Sequence, residues 1–457
     1  MPTFAAEKLA AWTGGRWTRM PGGATAGFTQ DTRQLAPGQA FVALKTGRRD
    51  GHDFLAEARE RGAVAAIVGR EVTGTEIPQL IVGDPLAAFQ RIAGEHRREF
   101  PGTVVGVTGS VGKTSTKDLL ALLLGGVPGI LATEGNLNNQ LGVPLTLTKL
   151  DPAVHRTAVI EAGIGGPGEM EPLAAMIEPD HAIVTLVAPA HLEKLGAIQG
   201  VAAEKAGLLR AVRAGGRRVF PASCLAHEDF RTFENPLVLV PENEDMTRIS
   251  GQSIKFNVFH RPDRTELTLD GKRRFILRRI SGGMAQNAAL ALAFASELGV
   301  EDAALQSRAE NWQPSKWRGE LRRVGEASVY CDFYNANPAS MTDAIDAFNR
   351  SVPAEFPRIH VLGCMEELGA ASAEYHRQLG RGMHLRPGDF VFIIGDQAAA
   401  LREGLLENGN DPGQVGVIAD LAAVRERLAG FQGAVFLKGS RRYRLESVLD
   451  PSSARAH

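Results

Sequence analysis

"GVTGSVGKTSTK", residues 106–117, is the stretch on which the reading of this chain turns. It follows "TVV" (103–105) and precedes "DLLALLL" (118–124), so it reads as the turn between a buried strand and a helix. Glycines at such a turn let backbone N–H groups crowd around a phosphate, and the helix N-terminus adds a positive dipole. Gly109, Ser110, Gly112, Lys113, Thr114 and Ser115 are therefore the candidate phosphate contacts. Lys113 supplies a point charge to the β- and γ-phosphates, and the Thr114 hydroxyl is placed to hold magnesium. The spacing is not that of the commonest phosphate loop, which has about four residues between its first glycine and the Gly-Lys pair. Here only two residues, Ser110 and Val111, separate Gly109 from Gly112. The plain alternative is a strand–turn–helix with no ligand.

Around the loop, strands and helices alternate, as in a parallel, doubly wound α/β sheet. "TAVIEAG" (157–163) and "HAIVTLV" (181–187) read as further strands, and "SGGMAQNAALALAFASELG" (281–299) as an amphipathic helix. Residues 235–280 alternate apolar and polar and read as an antiparallel flap appended to this unit. Upstream, "AFVAL" (40–44) and "AVAAIV" (63–68) flank the helical "DFLAEARERG" (53–62), and the polar "GEHRREFPG" (94–102) reads as a linker. Downstream of "NWQPSKWRGE" (311–320), four more strands alternate with helices: "ASVYCDF", "RIHVLGCM", "DFVFIIG" and "AVFLKG". Three domains are expected, over residues 1–96, 97–311 and 312–457, with hinges near 94–102 and 311–317. The terminal "PSSARAH" (451–457) reads as disordered.

Bulk properties exclude several function classes. With 457 residues, 44% of them hydrophobic and 23% charged, the chain can bury large cores without metals or disulfides. A net charge of −1 gives no basic field for nucleic acid or anionic membrane. Three scattered cysteines suit a reducing cytosol, and neither a signal peptide nor a membrane-spanning run is visible. A cytoplasmic enzyme acting on small molecules is expected, with no nucleic-acid partner, no membrane insertion and a monomeric state.

The short loop "TGSVGKTS" resembles that of the Mur ligase family, the ATP-dependent amide-forming enzymes of peptidoglycan synthesis. "TEGNLNNQLGVPLTL" (133–147), "DFYNANPASM" (332–341), "GCMEELGAASAEYH" (363–376) and "LKGSR" (437–441) resemble further motifs of that family, and "DTRQLAPGQAFVALKTGRRDGHDF" (31–54) resembles its N-terminal uridine-nucleotide module. The resemblance implies a three-domain fold: a small N-terminal α/β domain, a central parallel-sheet ATPase domain and a C-terminal Rossmann-like domain. It implies ATP and magnesium as cofactors. The implied activity is addition of D-alanyl-D-alanine to UDP-N-acetylmuramoyl-tripeptide, the last cytoplasmic step of peptidoglycan precursor synthesis.

Such chemistry phosphorylates a carboxylate and lets an amine attack the acyl phosphate, so charge on the moving phosphoryl group must be neutralised. Glu161 ends an apolar strand at the edge where parallel sheets bind ligands, and is the first candidate magnesium ligand. The resemblance makes His191 a second-metal ligand and Lys205 a carbamylated lysine able to hold that metal. From the residues alone, His191 can equally be structural and Lys205 an ordinary exposed helix lysine. The resemblance further implies Asn136 and Asn139 as phosphate or metal contacts, Asn287 on the adenine side, and Arg318 with Asp332 on phosphate and ribose. Tyr334, Asn335 and Asn337 are implied near the incoming amine, Lys438 and Arg441 on a substrate carboxylate, and Thr29, Asp31, Thr32 and Arg33 on the uridine nucleotide. Four positions depart from the family pattern: Gly165, Gly283, Trp317 and Cys364. Two other readings stay open: a sister ligase of folylpolyglutamate or cyanophycin type, against which the "DTR…DGHDF" module argues, and a nucleotide-binding relative without turnover.

Overall fold

The strand Thr103–Thr108, which feeds the glycine loop, lies at the heart of the fold. Its side chains alternate between two cores: Val104 packs on one face of the sheet, Val105 and Val107 on the other. Burial on both faces is what a parallel strand requires. The computed structural model describes residues 2–47, 49–244 and 251–449. The expected disorder of 451–457 falls outside these residues.

The central sheet has nine strands, in the order Arg273–Arg278, Arg264–Leu269, Gln252–His260, Leu237–Pro241, Arg218–Pro221, His181–Val184, Thr103–Thr108, Thr157–Glu161, Ile130–Ala132. Its middle is parallel, and the loop after Thr103–Thr108 opens at the C-terminal strand ends. The flap expected over 235–280 is not an appendage. Leu237–Pro241 pairs in parallel with Arg218–Pro221, Gln252–His260 pairs in parallel with Leu237–Pro241, and only the last two pairings are antiparallel. The apolar faces of these strands (Ile254, Leu267, Phe275) continue the main core, which is why they extend the sheet. The helix Gly282–Glu297 is likewise not amphipathic: every residue from Asn287 to Ala295 is buried. Its alanines let it lie close between the sheet and the helix Lys113–Leu123.

A five-stranded N-terminal sheet (Arg16–Trp17, Gln79–Ile81, Ala65–Val68, Ala40–Val42, Phe28–Thr29) precedes the central one. Residues 94–99 of the linker expected at 94–102 are instead the end of the helix Pro85–Glu99, started by Asp84, whose carboxylate accepts from the Leu86 and Ala87 N–H groups. This helix runs through the expected 96/97 boundary. Phe89 and Ile92 bury in the N-terminal core and Ala93 in the central core. Arg97, fully buried, donates to the carbonyls of Ile177 and Glu178 and pairs with Asp180 at 2.8 Å. A helix locked into both cores is no hinge.

The C-terminal sheet has six strands, in the order Glu320–Val324, Ala327–Cys331, Ala434–Lys438, Arg358–Gly363, Phe390–Ile394, Val415–Ile418, parallel except for the first pair. Before it, Trp312 is buried in the central core, whereas Trp317 packs on Phe333 of the C-terminal unit, ring centroids 5.4 Å apart. The chain between these two anchors, residues 313–316, is the short connection between the units.

Candidate active site

The glycine loop takes its shape from two close approaches. Gly109, at φ +149°, leaves no room for a Cβ because Thr185 Oγ1 stands there; Gly112, at φ +84°, lies against the Asn287 amide. Thr185, fully buried, donates to the Val111 carbonyl and pins the loop from the neighbouring strand end. The Lys113 ammonium donates to the Gly109 carbonyl at 2.8 Å. Its surroundings strip it of water and pull its pKa below the usual lysine value, with Glu161 opposing the shift and Arg318 adding to it.

Two cavities meet at this loop. The first, about 1050 Å³, has residues 110–115 at its floor and Glu161, His191 and Asn287 on the central wall. Arg318, Asp332, Tyr334, Asn335, Asn337 and Lys438 face them from the C-terminal unit, and Leu44, Lys45 and Thr46 from the N-terminal one. The second, about 1420 Å³, shares Lys113, Thr114, His191 and Arg318 and extends past Asn136 to Trp317, Glu366, Glu367 and Arg441.

Glu161 is buried at the first cavity. One carboxylate oxygen accepts from Asn138 Nδ2 at 2.7 Å; the other, Oε2, is buried with no hydrogen-bond partner. An orphan carboxylate oxygen beside a phosphate loop fits a hard divalent cation. Thr114, Glu161 and His191 are the donors present, and among the described residues no three His, Cys, Asp or Glu side chains gather into a cage. Magnesium suits such a sparse set, since it keeps waters and shares nucleotide phosphates. Lys205 is no exposed helix lysine: it is 1% exposed, and burial followed by repulsion from Lys113 pushes its pKa well below the ordinary range. A neutral buried amine is the form that takes up carbon dioxide. His191, left-handed at φ +54°, is also pulled below its usual value by burial, with Glu367 opposing. Its Nδ1 meets Glu367 Oε2, which arrives from the C-terminal unit.

Several expected roles do not match the geometry. Asn139 Oδ1 accepts from the Leu141 and Gly142 N–H groups and caps a short helix, and Asn136 is exposed in the second cavity. Their neighbour Asn138, overlooked in the sequence, is the asparagine on Glu161. Asn337 is a helix cap in a capping box with Ser340, and its Nδ2 points to the Ser110 carbonyl rather than to an amine site. Lys438 is buried and paired with Asp332 Oδ2 at 2.7 Å, and Arg441 is paired with Glu446 and stacked on Trp317. Neither stands free for a substrate carboxylate. Arg318 lies 4.0 Å over the Tyr334 ring, at the mouth shared by both cavities. Thr29, Asp31, Thr32 and Arg33 line neither cavity: Asp31 pairs with Arg33, and Thr32 donates to Glu57. The N-terminal residues that reach the site are 44–46, farther along the same stretch, and 84–86 at the start of the helix Pro85–Glu99.

The departure at Gly283 has a partner. Asp343, from the C-terminal helix Pro338–Ser351, accepts from the Gly283 N–H at 2.8 Å, and a Cβ there would stand 2.7 Å from its Oδ2. The Asp343 carboxylate thus caps the helix Gly282–Glu297 across the cleft. Burial raises its pKa, with Asp332 adding to the shift.

Comparison with known proteins agrees with this architecture. The Mur ligase middle domain matches residues 107–295, and the Mur ligase glutamate ligase domain matches 317–441. The chain is 33% identical over 434 residues to the UDP-N-acetylmuramoyl-tripeptide–D-alanyl-D-alanine ligase of Escherichia coli K12, with 92% of each chain covered. Its fold superposes on MurF from Acinetobacter baumannii with a TM-score of 0.85, covering 100% of both chains at 26% identity. It also superposes on MurF ligase from Thermotoga maritima in complex with ADP, with a TM-score of 0.79 at 27% identity, covering 93% of this chain and 96% of the other. The chain belongs to the Mur ligase family.

Proposed function

We propose that the protein joins D-alanyl-D-alanine to UDP-N-acetylmuramoyl-tripeptide at the expense of ATP, completing the pentapeptide precursor of peptidoglycan in the cytoplasm as a monomer. The observation that carries this reading is the end-to-end match with relatives of that activity, 92% of both chains, over a cavity walled by all three sheets.

The tripeptide carboxylate attacks the γ-phosphorus of ATP; the new O–P bond forms as the bond to the β-phosphate oxygen breaks, and ADP leaves. The dipeptide amine then attacks the acyl carbon, inorganic phosphate leaves, and the nitrogen loses a proton. Lys113 turns from the Gly109 carbonyl to the transferring phosphoryl group, while the loop N–H groups hold the β-phosphate. Thr114, Glu161, His191 and carbamylated Lys205 would hold magnesium, which neutralises phosphate charge. Carbamylation adds carbon dioxide to the unprotonated Lys205 amine with loss of one proton, and leaves a carboxylate-like anion in its place. Arg318 and Asp332 approach the nucleotide from the C-terminal unit, Asn287 from the adenine side. The uridine end of the substrate runs from residues 44–46 toward residues 29–33.

The test is phosphate release with UDP-N-acetylmuramoyl-tripeptide and ATP, with and without D-alanyl-D-alanine, in wild-type protein and Lys113→Ala. Turnover that needs both substrates and falls by about 10²-fold or more in the variant is expected. Release supported instead by glutamate on a folate acceptor would reassign the protein to a sister ligase.

A further inference from the structure

Glu366 and Glu367 are adjacent in sequence and take different paths. Glu366 stays within its own unit, accepting from Tyr443 Oη at 2.5 Å and facing Arg442. Glu367 leaves it: its carboxylate meets His191 Nδ1 across the cleft, and its carbonyl accepts from the Glu193 N–H at 3.1 Å. Two hydrogen bonds from one residue, one through backbone and one through side chain, define its placement in a way that a single surface ion pair does not. The loop is shaped for this approach. Gly369, at φ +62°, stands where a Cβ would come 3.3 Å from the Glu193 Cα. Both bonded residues are themselves left-handed, His191 at φ +54° and Glu367 at φ +62°. Non-glycine residues persist in that region where their surroundings over-determine them, and such positions cluster at functional sites.

The chemistry of the pair follows from the atoms. A carboxylate on Nδ1 accepts that nitrogen's proton in a hydrogen bond, selects the Nδ1–H tautomer and leaves the Nε2 lone pair free. His191 lines both cavities beside Lys113 and Thr114. We propose that Glu367 is a positioning residue for His191: supplied by the C-terminal unit, it orients the imidazole so that Nε2 faces the phosphate loop as a ligand for a divalent cation, and it does so only when the two units are together. Assembly of the metal site and closure of the cleft are then one event. The proposal rests on the ligase reading for its cation but not for the identity of the amine.

The test uses Glu367→Ala, Glu367→Gln, His191→Ala and the Glu367→Ala/His191→Ala double variant, each checked for an unchanged melting curve. Manganese binding is followed by electron paramagnetic resonance with a non-hydrolysable ATP analogue and without acceptor amine; kcat and KM come from phosphate release. Glu367→Ala is expected to weaken manganese binding and lower kcat by about 10- to 100-fold, with the KM for ATP within about twofold. Glu367→Gln, whose amide oxygen still accepts from Nδ1–H, recovers most of both. In the His191→Ala background, removing Glu367 costs little more, because the two act as one unit. Equal further loss in that background, or a change confined to the KM for ATP with normal manganese binding, would overturn the proposal and leave Glu367 a tether between units. Failure of D-alanyl-D-alanine to stimulate turnover, with the manganese effect intact, would sink the substrate assignment and leave this inference standing.

Discussion

Replacing Lys205 by methionine should push stability and turnover in opposite directions. Lys205 is 1% exposed. Its folded-state pKa lies well below the unfolded value, through burial and the nearby Lys113 charge. A depressed lysine contributes stability that is present above its unfolded pKa of about 10.4 and lost as pH falls through the folded value. At neutral pH the unmodified amine is therefore a burden. Keeping a polar amine in so buried a place costs about 1–3 kcal/mol, and methionine matches the lysine stem in volume, so Lys205→Met should recover about that much. In a protein of this size each kcal/mol corresponds to roughly 2–4 °C in Tm. Calorimetry in carbon-dioxide-free buffer at pH 7.5 should show the variant melting higher, while phosphate release falls by about 10²-fold or more. Adding bicarbonate and magnesium should raise the Tm of wild type and leave the variant unmoved. A variant that melts lower in carbon-dioxide-free buffer, or a wild type indifferent to bicarbonate, would refute a buried neutral amine poised for carbamylation.

Asn138→Ala should lower kcat more than Asn139→Ala, since only Asn138 holds Glu161; Asn139→Ala should instead lower Tm by loosening a helix cap worth about 1 kcal/mol, and both are read from kinetics beside thermal melts. Asp343→Asn keeps an acceptor for the Gly283 N–H. Because the folded pKa of Asp343 is raised, wild-type stability is fully present below the unfolded value of about 3.9 and is lost as pH rises through the folded one. The asparagine variant should thus melt higher at pH 7, an advantage that disappears near pH 4 in a calorimetric pH series. Arg97→Ala should cost about 3–5 kcal/mol by breaking a buried pair, measured by urea denaturation. Fluorescent labels on the N-terminal and central units should hold their separation when ATP and substrate bind, while labels on the central and C-terminal units move, because the former share the helix Pro85–Glu99 and the latter are joined by the short connection 313–316.

The legible parts of the site were local. Lys113, Thr114 and their glycines are contiguous, so the strand, turn and helix that make a phosphate loop are all present in a dozen residues. Glu161 lines the first cavity, as the end of an apolar strand in a parallel sheet is expected to do. Choosing among Asn136, Asn138 and Asn139 was not possible from sequence, since adjacent identical side chains differ only in where a non-repeating turn sends them. Residues 94–99 read as a linker because their charges look solvated, yet Arg97 is buried by partners some 80 residues away.

The sequence by itself determined the alternation of strands and helices, the phosphate loop and its lysine, because these depend on neighbours along the chain and on periodicities of two and 3.6. Only the tertiary structure decided which charges are spent and which stand free. Asp332 consumes Lys438, Glu446 consumes Arg441, Asp343 crosses to Gly283 and Glu367 to His191. Each of the last two joins a residue of the central unit to one of the C-terminal unit, and the distance between units is set by how whole cores pack, which no stretch of sequence encodes locally.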